Sequence, residues 1–148
     1  MKISQKCYYA LRALCELARD GNQEPHSIAA IGKSQEIPPL FLQSILRELK
    51  QSGLVESRRG KEGGYVLALP LREITVGKVI RFFEGDLAPA ACAAADPPSC
   101  KRRRACALRE VWQDAAQAAS RIYDGVTLAD LLERERAKKM ESGEDYAI

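Results

Sequence analysis

Apolar and polar residues follow the 3.6-residue period of an α-helix along most of the chain. Apolar stripes, capping residues and glycine stops predict helices at about residues 4–19, 27–33, 38–52, 75–84, 106–124 and 128–139. In the third helix the apolar residues fall at i, i+3, i+4 and i+7, which predicts one buried face: Leu42, Ile45, Leu46 and Leu49. The opposite face is polar and carries more cations than anions, with Gln43 and Arg47 among its members.

The third helix leads directly into a pattern typical of a β-hairpin. Apolar residues 54–55 and 65–67 flank the basic turn 58–64, whose glycines permit a tight reversal with positive φ. A helix followed by a basic, glycine-rich hairpin is typical of a winged helix-turn-helix, in which the helix enters the major groove and wing arginines reach phosphates or the minor groove. Many small α+β domains contain a helix and a hairpin, so the pattern favours nucleic-acid binding without excluding a purely structural role.

The segments after the wing indicate a second function. Residues 86–105 are rich in Ala and Pro and show no periodicity, and a loop of about 20 residues in a compact domain is usually functional or disordered. The helix after it has a heptad-like stripe with small alanines, suited to close helix–helix approach: Leu108, Val111, Trp112, Ala115, Ala119 and Ile122. We therefore predict a mainly α fold with a small β-hairpin wing, that is, a winged helix-turn-helix domain plus a long C-terminal dimerisation helix.

The predicted division of the chain follows from these patterns. Residues 1–85 form the DNA-binding domain, 86–105 a cysteine-containing sensor loop, 106–140 the dimerisation helices and 141–148 a mobile tail. The net charge of the 148 residues is only +3, but residues 1–85 hold 13 Lys and Arg against 9 Asp and Glu, whereas residues 86–148 hold 10 against 11. The positive excess thus lies in the half with the wing, as a phosphate-binding half requires.

No segment indicates a membrane protein or an enzyme. No apolar run approaches the roughly 20 residues that span a bilayer, and the periodic N-terminus is unlike a signal peptide, so we expect a cytoplasmic protein without a membrane partner. The chain has one histidine, and its Gly63-Gly64 pair is too short for a phosphate-binding loop. That histidine, His26, is expected to be an exposed loop residue.

Two motifs resemble the Rrf family of bacterial winged-helix regulators. These are Arg-Gly-x-x-Gly-Gly-Tyr at residues 59–65 and Ser-x-Lys-x-x-Tyr-Ala at residues 4–10, and the resemblance spans about residues 1–132. It implies a homodimeric transcriptional regulator of double-stranded DNA with an inverted-repeat operator. Pattern and resemblance together predict DNA contacts by Ser4, Lys6, Tyr9, Ser27, Pro39, Leu40, Gln43, Arg47, Arg58, Arg59, Gly60, Lys61, Gly63, Gly64 and Tyr65.

Three of the five cysteines lie in or beside the aperiodic loop. Cys92, Cys100 and Cys106 are spaced Cys-x7-Cys-x5-Cys, too wide for the close pairs of most zinc sites but compatible with a larger iron–sulfur cluster. The cations 101–104 favour thiolates and offset the charge of a thiolate-bound cluster, and Cys106 would lie in the positive field of its helix N-terminus. Cluster-binding relatives have three cysteines at this location, often with five residues in each gap, so the first gap here is longer by two.

A fourth ligand is not evident from the sequence. Relatives with a two-iron cluster use a histidine three residues after the last cysteine, where this chain has Arg109; relatives with a four-iron cluster use an early aspartate of the partner subunit, where it has Tyr8. The neighbouring Cys7 is a candidate fourth ligand, although it lies on an apolar stripe. A 2Fe–2S and a 4Fe–4S cluster both remain open. The alternatives are a cluster-free thiol or metabolite sensor of the same fold, and a winged-helix module that binds protein.

Overall fold

The computed structural model describes residues 2–21 and 24–142 and is mainly helical. The order of elements along the chain is α1 (Gln5–Ala18), α2 (Ile28–Gln35), α3 (Pro39–Gln51), β1 (Val55–Arg58), β2 (Gly64–Leu67), α4 (Val76–Glu84), a 3₁₀ turn (Ala91–Ala93), α5 (Ala107–Asp124) and α6 (Leu128–Ser142). Within the described ranges, no helix is long and apolar enough to cross a membrane.

The first three helices enclose the main apolar core. The apolar stripe predicted for α3 is buried in full, and it packs with residues of α1 and α2. Complete burial of one Leu or Ile side chain is worth about 1.5–3 kcal/mol, so this cluster is a main source of stability for the domain. Its largest fully buried members in α1 to α3 are Leu14, Leu17, Ile31, Leu42, Ile45, Leu46 and Leu49.

The predicted hairpin is an antiparallel pair in which Val55 lies opposite Leu67 and Arg58 opposite Gly64. A third segment joins it: the N–H groups of His26 and Tyr65 each donate to the other's carbonyl oxygen at 2.9 Å. Gly60 has φ +122°, a backbone conformation that favours glycine, and a Cβ atom at Gly64 would overlap the His26 carbonyl group. The wing is therefore fixed to the loop before α2 as well as to its own strands.

The turn between α2 and α3 contains an unusual backbone conformation. Glu36 has φ 52° and ψ 43°, the left-handed conformation in which helix-turn-helix proteins often place glycine. The N–H of Ile37 donates to the carbonyl of Gly32 at 3.0 Å, which closes the end of α2. The turn thus adopts the left-handed geometry despite its glutamate.

Helices α5 and α6 relate differently to the core. No residue of α5 is buried, whereas Leu128 and Leu132 of α6 are buried in the main core and α6 packs on α1. A backbone hydrogen bond anchors the start of α6: the Leu128 N–H donates to the Ile74 carbonyl at 2.9 Å. Thus α6, which the sequence grouped with the dimerisation helices, packs on the winged helix. It extends through Ser142, and the rest of the predicted mobile tail, 143–148, lies outside the described residues.

Candidate DNA-binding surface and cysteine cavity

The outward face of α3 is a polar strip with one apolar residue. Leu40, Gln43 and Arg47 are exposed along this face, as is Pro39 at its start. Two contacts fix the helix in position: Lys50 Nζ donates to Ser57 Oγ of β1 at 2.6 Å, and Lys6 Nζ lies 2.7 Å from Glu48 Oε2. The recognition helix predicted from the sequence is thus presented on a braced surface.

The wing adds exposed cations beside α3. Arg58, Arg59 and Lys61 are exposed, and they line one wall of a groove of about 760 Å³ whose other wall is formed by the segment before α2 and the start of that helix. Gly60, Gly63 and Gly64 shape the backbone around these cations, and Tyr65 is half-buried at the base of the hairpin. Exposed guanidinium and ammonium groups are of the kind that contacts DNA phosphates, and the DNA contacts of these three cations stay a prediction.

The predicted contacts near the start of α1 also have roles within the protein. Ser4 is the N-cap of α1: its Oγ accepts from Cys7 N–H at 3.2 Å and donates to Glu84 Oε1 at 2.5 Å. Tyr9 packs edge-on against Phe41 of α3, with ring centroids 5.8 Å apart. Their DNA contacts stay a prediction, as does that of Ser27, whose Oγ caps α2 by accepting from Ala30 N–H at 3.1 Å.

The structure corrects the expectation of an exposed histidine. Only 15% of the His26 side chain is accessible, because its backbone pairs with Tyr65 and draws the residue under the wing. Its Nε2 lies 3.4 Å from Asp20 Oδ2 and, among the described side chains, is a buried nitrogen without a hydrogen-bond partner. The long-range pairing of the wing decides this position, and no local sequence signal reveals it.

The three loop cysteines meet at one small cavity of about 30 Å³. Cys92 lies in the 3₁₀ turn, and Cys106 is the N-cap residue of α5, as predicted. Pro97, Pro98, Arg103 and Arg109 complete the lining. Arg109, whose role the sequence did not reveal, donates from Nε to the Cys92 carbonyl at 3.3 Å; its position one turn after Cys106 on α5 is the only sequence signal for this contact.

A carboxylate fixes the beginning of the cysteine loop. Asp86 accepts the backbone N–H groups of Ala88 and Ala95, each at 2.8 Å. These bonds lower the pKa of Asp86 below its ordinary value, because they stabilise the carboxylate. The loop that appeared structureless in the sequence is thus folded back on itself in front of α5.

Three cysteines line the cavity, and cysteine sulfur is the donor type that iron–sulfur clusters use. Within the described residues no group of three or more His, Cys, Asp or Glu side chains is arranged to hold a single metal ion, and no fourth donor lines the cavity. Cys7 lies elsewhere, fully buried beside Ile80 and Leu87. Burial, with the nearby Glu84 carboxylate, raises its pKa to about 11, which opposes formation of a thiolate.

The outer face of α5 is apolar and uncovered. Leu108, Val111 and Ile122, all from the predicted stripe, are each more than half exposed. At the C-terminal end the helix is joined to α4, where Arg81 donates to Asp124 Oδ1 at 2.5 Å and to Oδ2 at 2.8 Å. An exposed apolar stripe on a fixed helix is a surface suited to association with another helix.

A recognition helix, a basic wing and a braced α1 define the class of winged helix-turn-helix DNA-binding proteins. The family model described as Rrf2, iron-dependent transcriptional regulator, matches residues 3–134, and the chain belongs to this family. The match confirms the resemblance to the family, and the solved structures named below confirm the winged-helix fold class. The family match also confirms that the protein is a DNA-binding transcriptional regulator and not an enzyme.

Named relatives resemble the chain over most of its length. Protein rrf2 of Nitratidesulfovibrio vulgaris is 36% identical over 132 residues, which cover 89% of this chain and 87% of the relative. The structure of CymR, the global cysteine regulator of B. subtilis, has a TM-score of 0.76 at 32% identity and covers 90% of this chain and 98% of CymR. The structure of T. potens IscR has a TM-score of 0.72 at 30% identity, covering 91% and 88%.

Proposed function

We propose that this regulator acts in the bacterial cytoplasm as a homodimer whose operator affinity depends on an iron–sulfur cluster. The cluster is held by Cys92, Cys100 and Cys106, and the observation that carries this proposal is that these three separated cysteines line one cavity. The family description as iron-dependent supports it. When bound, a 2Fe–2S or 4Fe–4S cluster supplies a centre that responds to iron–sulfur status, redox state or nitric oxide.

The chain's own residues favour an anionic occupant of the cavity. The guanidinium groups of Arg103 and Arg109 offset the negative charge of three thiolates. Cys106, at the N-terminus of an 18-residue helix, lies in its positive field. The proposed ligand set does not include Cys7, because its buried position favours the neutral thiol.

A series of contacts connects the cysteine cavity to the winged-helix core. Cys106 begins α5, whose last residue, Asp124, is held by Arg81 of α4. The next turn pairs Thr127 with Thr75, and α6 then enters the winged-helix core. Cluster gain or loss that moves α5 therefore acts on the spacing of two recognition helices, and a differential contact of only ~1–3 kcal/mol is enough for regulation.

The apolar face of α5 supports the homodimer. A second copy would cover Leu108, Val111 and Ile122, which are exposed in the single chain, and a two-fold dimer implies an inverted-repeat operator. Light scattering at micromolar concentration should find a dimer, and Val111→Glu should give a monomer of unchanged helical content. Met140→Glu, at an exposed apolar residue of α6, is the matched control; a monomeric parent protein would contradict the proposal.

Single Cys→Ala variants purified without oxygen test the cluster. Each substitution at Cys92, Cys100 and Cys106 should remove the visible absorption together with iron and sulfide, whereas Cys15→Ala should retain them. The control is suitable because Cys15 lies on α1, where burial raises its pKa to about 11. If all three loop variants retain iron and colour, the loop does not bind the cluster.

A cluster-free thiol sensor is the second candidate. The small size of the cavity and the similarity to a global cysteine regulator favour it. In that case the parent protein lacks iron, and mild peroxide should alter operator affinity in the parent protein but not in the variant lacking all three loop cysteines. The same anaerobic preparation therefore distinguishes the two sensors, since only one contains iron and sulfide.

A further inference from the structure

Leu40 is an apolar residue on an otherwise polar face. It is 84% exposed, more than any other large apolar side chain in the described part of the chain. The adjacent Phe41 is only 37% exposed because its ring packs edge-on against Tyr9. The first turn of α3 thus presents Leu40 to solvent, whereas the next residue, Phe41, packs against α1.

The neighbours of Leu40 indicate what it meets. Leu40, Gln43 and Arg47 fall at i, i+3 and i+7 on the outward face of α3, opposite the buried stripe. Exposed Lys50 and the wing cations lie on the adjoining surface, which α3 and β1 share through the Lys50–Ser57 bond. A second copy of this chain that docked here would bring positive charges together, whereas the negative phosphates of DNA complement these cations.

A leucine side chain cannot donate or accept a hydrogen bond, so it cannot distinguish most base edges. The major groove presents one apolar group, the C5-methyl of thymine. Resting on the proposed operator recognition, we propose that Leu40 is a specificity-determining residue that contacts a thymine methyl in each half-site. Three residues of helix advance about 4.5 Å and one base-pair step is ~3.4 Å, so a helix that follows the groove would place this thymine about one step from the base predicted for Gln43.

The test removes the methyl group and the leucine separately. A 30-base-pair duplex is first selected from a random library with the dimeric protein, and each thymine is then replaced by deoxyuridine, which lacks only the methyl. At one thymine in each half-site the replacement should weaken binding about fourfold, the equilibrium equivalent of burying one methyl group. Leu40→Ala should bind more weakly and lose sensitivity to these two replacements only, since the side chain that sensed the methyl is gone.

A matched control and three outcomes make the test decisive. Met140→Ala removes a side chain that is 72% exposed on α6, and it should retain the full deoxyuridine profile of the parent protein. If the parent and Leu40→Ala profiles are identical, the inference is wrong while operator recognition stands. If Leu40→Ala instead changes the oligomeric state, the side chain belongs to a protein interface and the inference is also wrong. If selection enriches no sequence, operator recognition itself fails.

Discussion

Replacing Glu36 by glycine should stabilise the protein, because the turn before the recognition helix demands a conformation that glutamate adopts at a cost. Glu36 is the only non-glycine residue of the described chain with positive φ, at φ 52° and ψ 43°. The left-handed conformation costs an L-residue roughly 1–2 kcal/mol, since Cβ crowds the following carbonyl. Glycine avoids that cost but loses about 0.5–1 kcal/mol more backbone entropy on folding.

Glu36→Gly should therefore raise the free energy of unfolding by about 0.5–1 kcal/mol. This gain is best measured by comparison with the Glu36→Ala variant. Glu36→Ala retains Cβ and removes the carboxylate, whose negative charge near the C-terminus of α2 is itself mildly unfavourable. The difference between the glycine and alanine variants isolates the backbone term. Because the side chain is exposed, neither substitution removes a buried contact.

Urea unfolding at one fixed protein concentration provides the measurement, since the apparent stability of a dimer depends on concentration. Glycine should be more stable than alanine by about 0.5–1 kcal/mol, which corresponds to roughly 1–4 °C in melting temperature for a chain of this size. If the Glu36→Ala variant proves as stable as the Glu36→Gly variant, the turn is not left-handed in solution and the reasoning is refuted.

Three further substitutions or conditions test other parts of the structure. Gly64→Ala should destabilise the protein by about 1–3 kcal/mol and weaken operator binding, because its Cβ would displace His26 from the wing; urea unfolding and anisotropy measure the two effects. Gln35→Ala should lower the free energy of unfolding in urea by about 1–3 kcal/mol, since it removes the buried amide that accepts from Arg12 Nε and donates to Glu16 Oε2. Under reducing conditions, the free energy of unfolding should fall between pH 9 and 11. The reason is that Cys7 and Cys15 stay protonated in the folded chain up to a pKa of about 11, whereas the thiols of the unfolded chain ionise from about 9. In the variant with both cysteines replaced by alanine, the free energy of unfolding should fall less steeply with pH.

Local patterns predict the elements of this fold well. The apolar stripe of α3 is buried as its spacing predicts, and the basic turn between two apolar runs forms the wing. Cys106 was expected at a helix N-terminus and is the N-cap residue of α5. In each case the signal is contained within about 15 residues, so periodicity and capping chemistry suffice to interpret it.

The features that sequence reasoning missed depend on contacts between distant segments. Gln35 is buried because its amide lies between two side chains of α1: Nε2 donates to Glu16 Oε2 at 2.6 Å, and Oε1 accepts from Arg12 Nε at 3.2 Å. Arg19 bridges the same Glu16 to Glu135 of α6, with its Nη2 2.6 Å from the Glu135 carboxylate. No local spacing signals such a chain of polar contacts.

The same polar chain shows why α6 differs from the dimerisation helix with which the sequence grouped it. Its outward residues are highly charged, which suggests a solvated arm, but Glu135 is paired with α1 and Leu132 is buried in the core. Through Arg19, Glu16 and Gln35, α6 is connected to the last residue of α2, directly before the left-handed turn into α3. Helix α6, which follows α5 in sequence, is therefore connected through side chains to the turn that leads into α3. Under the proposed regulation, this is a route by which a movement of α5 would reach the recognition helix.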